Sequence, residues 1–274
     1  MRGSIAAEPF VAGGVAWRIH RERVLLAGWG RAILLQIAHP KVACGVAEHS
    51  AFTTDRWGRL RRLHRTLSAM LALTFGSEEE AAGSAARINA IHDRVHGRLP
   101  DSAGGASYSA HDPELLTWVH ATLIESFLLT YRHFVGPVTP ADADRYCEEA
   151  AGIEPALGIP PGRLPRTERQ LRAYLDAMLA GGSIEVTDAA RRLSRAIIRP
   201  PAPALVRPVL WLGALPAIGL LPPAIRSAYG FPWDERRARA LRALAAATRA
   251  SLPLVPPPLR YWAMARRAER RRRP

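Results

Sequence analysis

Two histidines, His92 and His96, stand four residues apart in the stretch INAIHDRVHG, and a third, His120, falls inside WVHATLIESF. Taken as helices, the first segment places Ile88, His92 and Val95 on one face, with His96 a turn beyond His92. The second aligns Leu116, His120, Leu123, Ile124, Phe127 and Tyr131 in an apolar stripe that contains the imidazole. A neutral imidazole in an apolar setting can ligate iron through one nitrogen while the other donates to an acceptor. It can equally be a core histidine bonded to a backbone carbonyl, and spacing leaves both readings open.

A second group lies upstream in RLRRLHRTL, where Arg62 and Thr66 share a helix face beside His64 and Arg65. A cation and a hydroxyl directed into an apolar pocket could hold a haem propionate or polarise dioxygen. An arginine-rich helix face turned to water is the plain alternative. The spacing of His92 and His96 also suits zinc, but HDRVH carries Asp93 and Arg94 where a metalloprotease helix needs its general-base glutamate. No P-loop, dinucleotide-binding glycine pattern or nucleophile elbow is present.

These side chains have to be positioned by helices. Alanine, leucine and arginine dominate, and alternating β-branched runs are nearly absent, so an all-α chain is expected. RVLLAGWGRAILLQIA reads as one almost wholly apolar, buried helix from Arg23 to Ala38, stopped by Pro40. Asp55 could cap the next helix, which carries Leu60, Leu63, Leu67 and Leu71 on one stripe and ends at Gly76. A third is expected from Ser77 to Val95, followed by the aperiodic loop RLPDSAGGASYSAHDP. Asp112-Pro113 opens a long helix that Gly136 and Pro137 close, and four further helical patterns span about 140–151, 167–180, 187–199 and 234–250.

The 274 residues suffice for one large domain, and we divide them into a body of residues 1–233 and a helical extension with a basic tail at 234–274. Only Cys44 and Cys147 are present, without a haem-attachment or zinc spacing. The apolar run from Leu205 to Ile225 is broken by four prolines and reads as core-packed or membrane-touching rather than spanning. The first residues lack a secretory apolar run, which points to the cytoplasm. Of the formal net charge of +14, the extension supplies +9, from twelve arginines against three acids. Such a tail is most simply a solvated strip, and an anionic membrane surface is the partner it would suit. No specific nucleic-acid binding is expected, because no recognition motif accompanies the charge.

LLQIAHPKVACGVAEHSAF, RLRRLHRTL, IHDRVHG, YSAHDPELLTWVHATLIESFL, VTPADADRYCEEA and LLPPAIRSAYGFPW occur in that order. Together they closely resemble the MpaB-type oxygenase family, which includes the rubber oxygenases, over about Ala16 to Trp233. The resemblance implies a single-domain helical bundle around a buried, non-covalent haem b, and oxygenase chemistry on a small, apolar, unsaturated substrate of isoprenoid or lipid type. It implies His92 as the iron ligand, with His120, His96 and Arg65 beside the cofactor, and Arg62 and Thr66 acting on O2. Glu48, in VAEHS, resembles a family acid near the distal side.

One departure from the family pattern has chemical consequences. Rubber-cleaving members place a lysine that can ligate iron where this chain has Arg65, and Lys41 is the only lysine here. Guanidinium stays protonated and cannot ligate a metal. The distal side is therefore expected to be open or water-filled, and the substrate need not be rubber. Cleavage of a carbon–carbon double bond to carbonyls by O2 is the leading expectation. A haem-binding sensor or carrier without turnover, and a cofactor-free basic protein at the membrane surface, are the alternatives.

Overall fold

The computed structural model describes residues 10, 13–49, 56–101, 104–198, 205 and 207–271, without the side chains of residues 56–63 and 207–210. Helices dominate. In chain order they are α1 (Val15–His20), α2 (Leu26–Gln36), α3 (Pro40–His49), α4 (Arg56–Phe75) and α5 (Glu78–His92), then a two-stranded ribbon, β1 (His96–Arg98) with β2 (Ser107–Ser109). After the ribbon come α6 (Pro113–Phe134), α7 (Pro140–Ala151), α8 (Glu168–Ala180), α9 (Asp188–Ile198) and α10 (Arg207–Gly219). The chain closes with α11 (Pro223–Ala228), α12 (Glu235–Ser251), α13 (Pro257–Arg260) and α14 (Ala263–Arg271).

The helix expected from Arg23 to Ala38 begins as a 3-10 turn at Arg23–Leu25 and continues as α2. It is buried as its composition requires, packed between α6 and α10. Gly28 permits the close crossing: a Cβ there would overlap the Thr130 hydroxyl and stand 2.9 Å from the Ser126 carbonyl. Arg31, 3% exposed, joins the three helices. Its guanidinium donates to the Leu220 carbonyl at 2.6 Å and the Ser126 hydroxyl at 2.7 Å, and pairs with Glu125. Pro40 does not merely stop a helix. It occupies the first turn of α3, where its missing N–H costs nothing.

The helix at 77–95 is shorter than its pattern. A capping box between Ser77 and Glu80 starts α5 at Glu78, and the helix ends at His92. The Val95 carbonyl accepts from the Ala110 amide at 2.8 Å, and His96 enters β1 opposite Ser109. His92 and His96 therefore do not share a helix face, because ladder pairing takes the backbone that a further helical turn would need. The supposed loop after Arg98 contains β2, the partner strand that makes this possible.

Asp112 accepts from the Glu114 amide and caps α6 with Pro113 in its first turn, as the sequence indicates. Residues 140–151, 168–180, 188–198 and 235–251 form helices within a residue of their expected limits. The position assigned to Asp55 lies outside the described residues. Among the described residues, no helix is long and apolar enough to cross a membrane.

The C-terminal extension is docked rather than left as a solvated strip. Glu22 is 1% exposed and receives the Arg260 guanidinium at 2.6 and 3.0 Å. The Trp262 amide donates to the Arg21 carbonyl at 3.1 Å. Ala265 and Ala268 bury one side of α14 against Trp17 and Phe75, and the Arg271 guanidinium donates to the Phe75 carbonyl at 3.1 Å, while Arg267 and Arg270 face outward.

Candidate active site

The ribbon is the device that gathers the histidines. It folds the chain back between the end of α5 and the start of α6, bringing His92, His111 and His120 to one end of the bundle. His92 and His111 meet edge-on, their ring centroids 5.7 Å apart. His111 in turn contacts the Asp93 carboxylate at 2.8 Å. His120 is buried one face deeper on α6.

Burial sets the protonation of these rings. His92 lies below the usual histidine range, first through desolvation and then through the neighbouring His111, with Asp93 opposing. His120 is pushed down to about 4 by burial, with His92 adding to the shift. Both are neutral imidazoles near pH 7, the form able to ligate a metal. His92 Nδ1 is buried without a hydrogen-bond partner among the described residues. An unmade bond of that kind typically costs about 1–3 kcal/mol. His39, at the start of α3, is also lowered by burial and by Lys41, partly offset by Asp112 and Glu114.

A second polar group braces the ribbon from α3. The Tyr108 hydroxyl and the Cys44 thiol both donate to Glu48. Tyr108 fits between two glycines: a Cβ on Gly97 would lie 2.7 Å from its hydroxyl, and one on Gly45 3.3 Å from its ring. The hydrogen bonds from Tyr108 and then Cys44 hold the Glu48 carboxyl below its ordinary range, and burial with the same bond pushes the Tyr108 hydroxyl up. His49 Nε2 donates to the His96 carbonyl at 3.2 Å, tying α3 to β1.

The Arg62–Thr66 group sits differently. Ser84 Oγ donates to the Ala69 carbonyl at 3.2 Å, which fixes the register of the antiparallel α4–α5 hairpin. At about 1.5 Å per residue, Arg65 and Thr66 lie level with Ile88, and Arg62 level with Ile91 and His92. Arg65 and Thr66 are exposed, and the Arg62 side chain lies outside the described residues. No hydrogen bond or ion pair among the described residues joins them to His92, His120 or Glu48. His96 is exposed on β1.

A family model described as "ER-bound oxygenase mpaB/B'/Rubber oxygenase, catalytic domain" matches residues 17–250. The chain belongs to this family. The match runs past Trp233 into α12, so the division at residue 233 does not mark its limit, whereas α13 and α14 lie beyond it. Among curated relatives, two mycobacterial proteins of uncharacterized function, from Mycobacterium bovis and Mycobacterium tuberculosis, are each 26% identical over 228 residues. That alignment covers 82% of this chain and 87% of each relative. No solved structure matches the chain.

The sequence reading of this member of the MpaB/rubber oxygenase family singles out His92 but not the residues that meet it in the fold. Periodicity does not mark His111 and Tyr108, since both fall in the segment between helices. SAHDP, a histidine directly before a helix cap, is the local signal for His111. Asp93 entered the sequence reading only as a mismatch to a zinc motif; in the fold it holds His111. Among the described residues no three His, Cys, Asp or Glu side chains converge as a metal-ion ligand set. A metal carried by an organic cofactor needs only one imidazole from the protein.

Proposed function

We propose that this protein is a haem b-dependent oxygenase that cleaves a carbon–carbon double bond of a small apolar substrate, isoprenoid or lipid-like, with O2. Family membership supports the oxygenase class, and one observation carries the cofactor assignment: the neutral, half-buried His92 imidazole, whose buried Nδ1 has no hydrogen-bond partner among the described residues. The donor set fits haem. His92 would hold the iron, with His120 as the neighbouring neutral ring and Arg65 and His96 toward the cofactor edge. Haem b would supply the redox chemistry that the cleavage requires.

The protein's own part is placement and polarity. The Asp93–His111 pair braces one side of His92, and Glu48 acts through Tyr108 to fix the ribbon behind it. Arg62 and Thr66, on the stretch of α4 that runs beside the last two turns of α5, would donate to negative charge developing on the oxygen atoms. Arg65, a permanently protonated guanidinium, would not serve as a metal ligand as a lysine there could, and would instead offer its charge to the cofactor edge. The outward arginines of α14, with exposed Leu254 and Leu259 nearby in sequence, suit contact with an anionic membrane that carries such substrates.

An absorption spectrum of protein expressed with haem supply tests the assignment. A Soret band with b-type haem on pyridine extraction is expected, and His92→Ala should lose it. Colourless protein would refute the reading, and tight haem without oxygenated product from any unsaturated apolar compound would reduce it to a sensor or carrier.

A further inference from the structure

Beyond residue 250, where the family match ends, the chain leaves α12 and forms a prong before returning as α14. A 3-10 turn at Leu252–Leu254, an extended joint at Val255 and Pro256, and α13 build it. Residues 253–259, PLVPPPL, carry no charge. Leu254 is 84% exposed and Leu259 65%, with the half-buried Val255 between them. Two bare leucines on one uncharged prong form a patch rather than the scattered apolar residues of an ordinary surface.

The prong is held out by fixed ends. Leu252 is buried at its start, and at its close the Arg260 guanidinium meets the Glu22 carboxylate at 2.6 Å. Arg23 Nε donates to the Tyr261 carbonyl at 3.1 Å. Within the prong the Val255 amide donates to the Leu252 carbonyl at 3.2 Å, and the Leu259 amide to the Pro256 carbonyl at 2.9 Å. Four prolines restrict the rest of its backbone, which leaves the leucines little freedom to fold back.

The surroundings decide what covers this patch. Across residues 249–271 six arginines stand against one acid, Glu269, and Arg21 pairs with it at 3.3 Å. Arg249 in the last turn of α12 and Arg267 and Arg270 on α14 are exposed. At the base of the prong the half-buried Tyr261 and Trp262 rings lie 4.4 and 5.4 Å from the guanidinium carbons of Arg21 and Arg23. Bare leucines flanked by Tyr, Trp and arginine match the hydrocarbon edge, interface and anionic headgroups of a bilayer. A second copy suits the patch poorly, because at a net charge of +14 two basic faces would meet. A proline-recognising protein needs a longer extended run than Val255 and Pro256 provide.

We infer that residues 253–259 insert as a rigid prong into the outer hydrocarbon edge of an anionic bilayer, with Arg249, Arg267 and Arg270 on its headgroups. This sharpens the membrane contact proposed above from a basic strip to an inserting prong. It needs neither haem nor turnover.

Co-sedimentation of the purified full chain with phosphatidylcholine vesicles, with and without about 30% phosphatidylserine, tests this. The protein should pellet with the anionic vesicles alone and be released at high salt. Leu254→Ser combined with Leu259→Ser should weaken binding at least about tenfold, and Arg267→Gln combined with Arg270→Gln about 30-fold, the cost of two cations at such a surface. Leu212→Ser, at an exposed apolar position on α10, should change nothing. Every residue changed is exposed, so the fold is kept. A polarity-sensitive dye attached at Leu254→Cys should shift to the blue on binding; Cys44 and Cys147 are buried and stay unlabelled. Unchanged binding by the double leucine variant, or its loss through Leu212→Ser, would overturn the prong. Equal binding to neutral vesicles, or a dimer that the leucine changes disperse, would also overturn it. Vesicle binding by colourless protein would uphold the prong while refuting the oxygenase; a Soret band without vesicle binding would do the reverse.

Discussion

His111 presents its ring edge-on to His92, 5.7 Å between centroids and 81° between planes, while holding Asp93 at 2.8 Å. The second strand of the ribbon thus returns the chain beside the end of α5, where His111 meets both His92 and the Asp93 that follows it. His111→Ala should raise the rate of haem loss to a scavenger protein by about tenfold, the low end for groups that orient a metal-bound imidazole. His111→Phe preserves the edge-on ring and should recover most of that loss. Equal haem retention in all three proteins would show that the contact is incidental.

His92→Ala should abolish or severely weaken haem binding, and His96→Ala should leave most of it. The reason is topological: His92 ends α5 with a buried ring nitrogen, and His96 is exposed on β1. Haem content per chain after reconstitution measures both. If His120→Ala alone empties the protein, the iron ligand is His120.

Arg62→Ala and Thr66→Ala should each lower turnover by about 10²–10³, as loss of one oxyanion donor does, with haem content nearly unchanged. Products from ¹⁸O₂ should carry the label in their carbonyls. Normal turnover by both variants would remove them from the mechanism.

Stability should fall on acidification. His20 and His120 are each held neutral by burial, with pKa lowered from 6.5 to about 4. The unfolded chain binds protons below about pH 6.5 that the native state refuses until about pH 4. The contribution is therefore intact above pH 6.5 and is lost as pH falls through that window, roughly 3 kcal/mol per histidine. Urea unfolding at pH 7 and pH 5 measures the slope, and His120→Phe should flatten it. Unchanged midpoints across the window would contradict the burial of both rings.

Gly28→Ala should destabilise the protein by about 1–3 kcal/mol, since the added methyl overlaps Thr130 where α2 crosses α6. Thermal unfolding reads this directly. Relief by a second change, Thr130→Ala, would locate the strain at that crossing.

The sequence by itself determined the helical class, the cap at Asp112, and, to within a residue or so, the limits of α6, α7, α8, α9 and α12. Those signals act within a few residues, through local hydrogen bonds and one-sided apolar periodicity, so they can be read without the fold. His120 was legible for the same reason, as an imidazole inside an apolar stripe. The ribbon was not, because strands of three residues carry no period and exist only through pairing with each other. With the ribbon went the true end of α5, the separation of His92 from His96, and the approach of His111 and Tyr108. The docking of α14 likewise depends on Trp17, Phe75 and Glu22, hundreds of residues away along the chain, whose buried surfaces no local pattern announces. Tertiary packing decided which of the equally plausible histidines became partners, since desolvation and ring contacts are properties of neighbours in space.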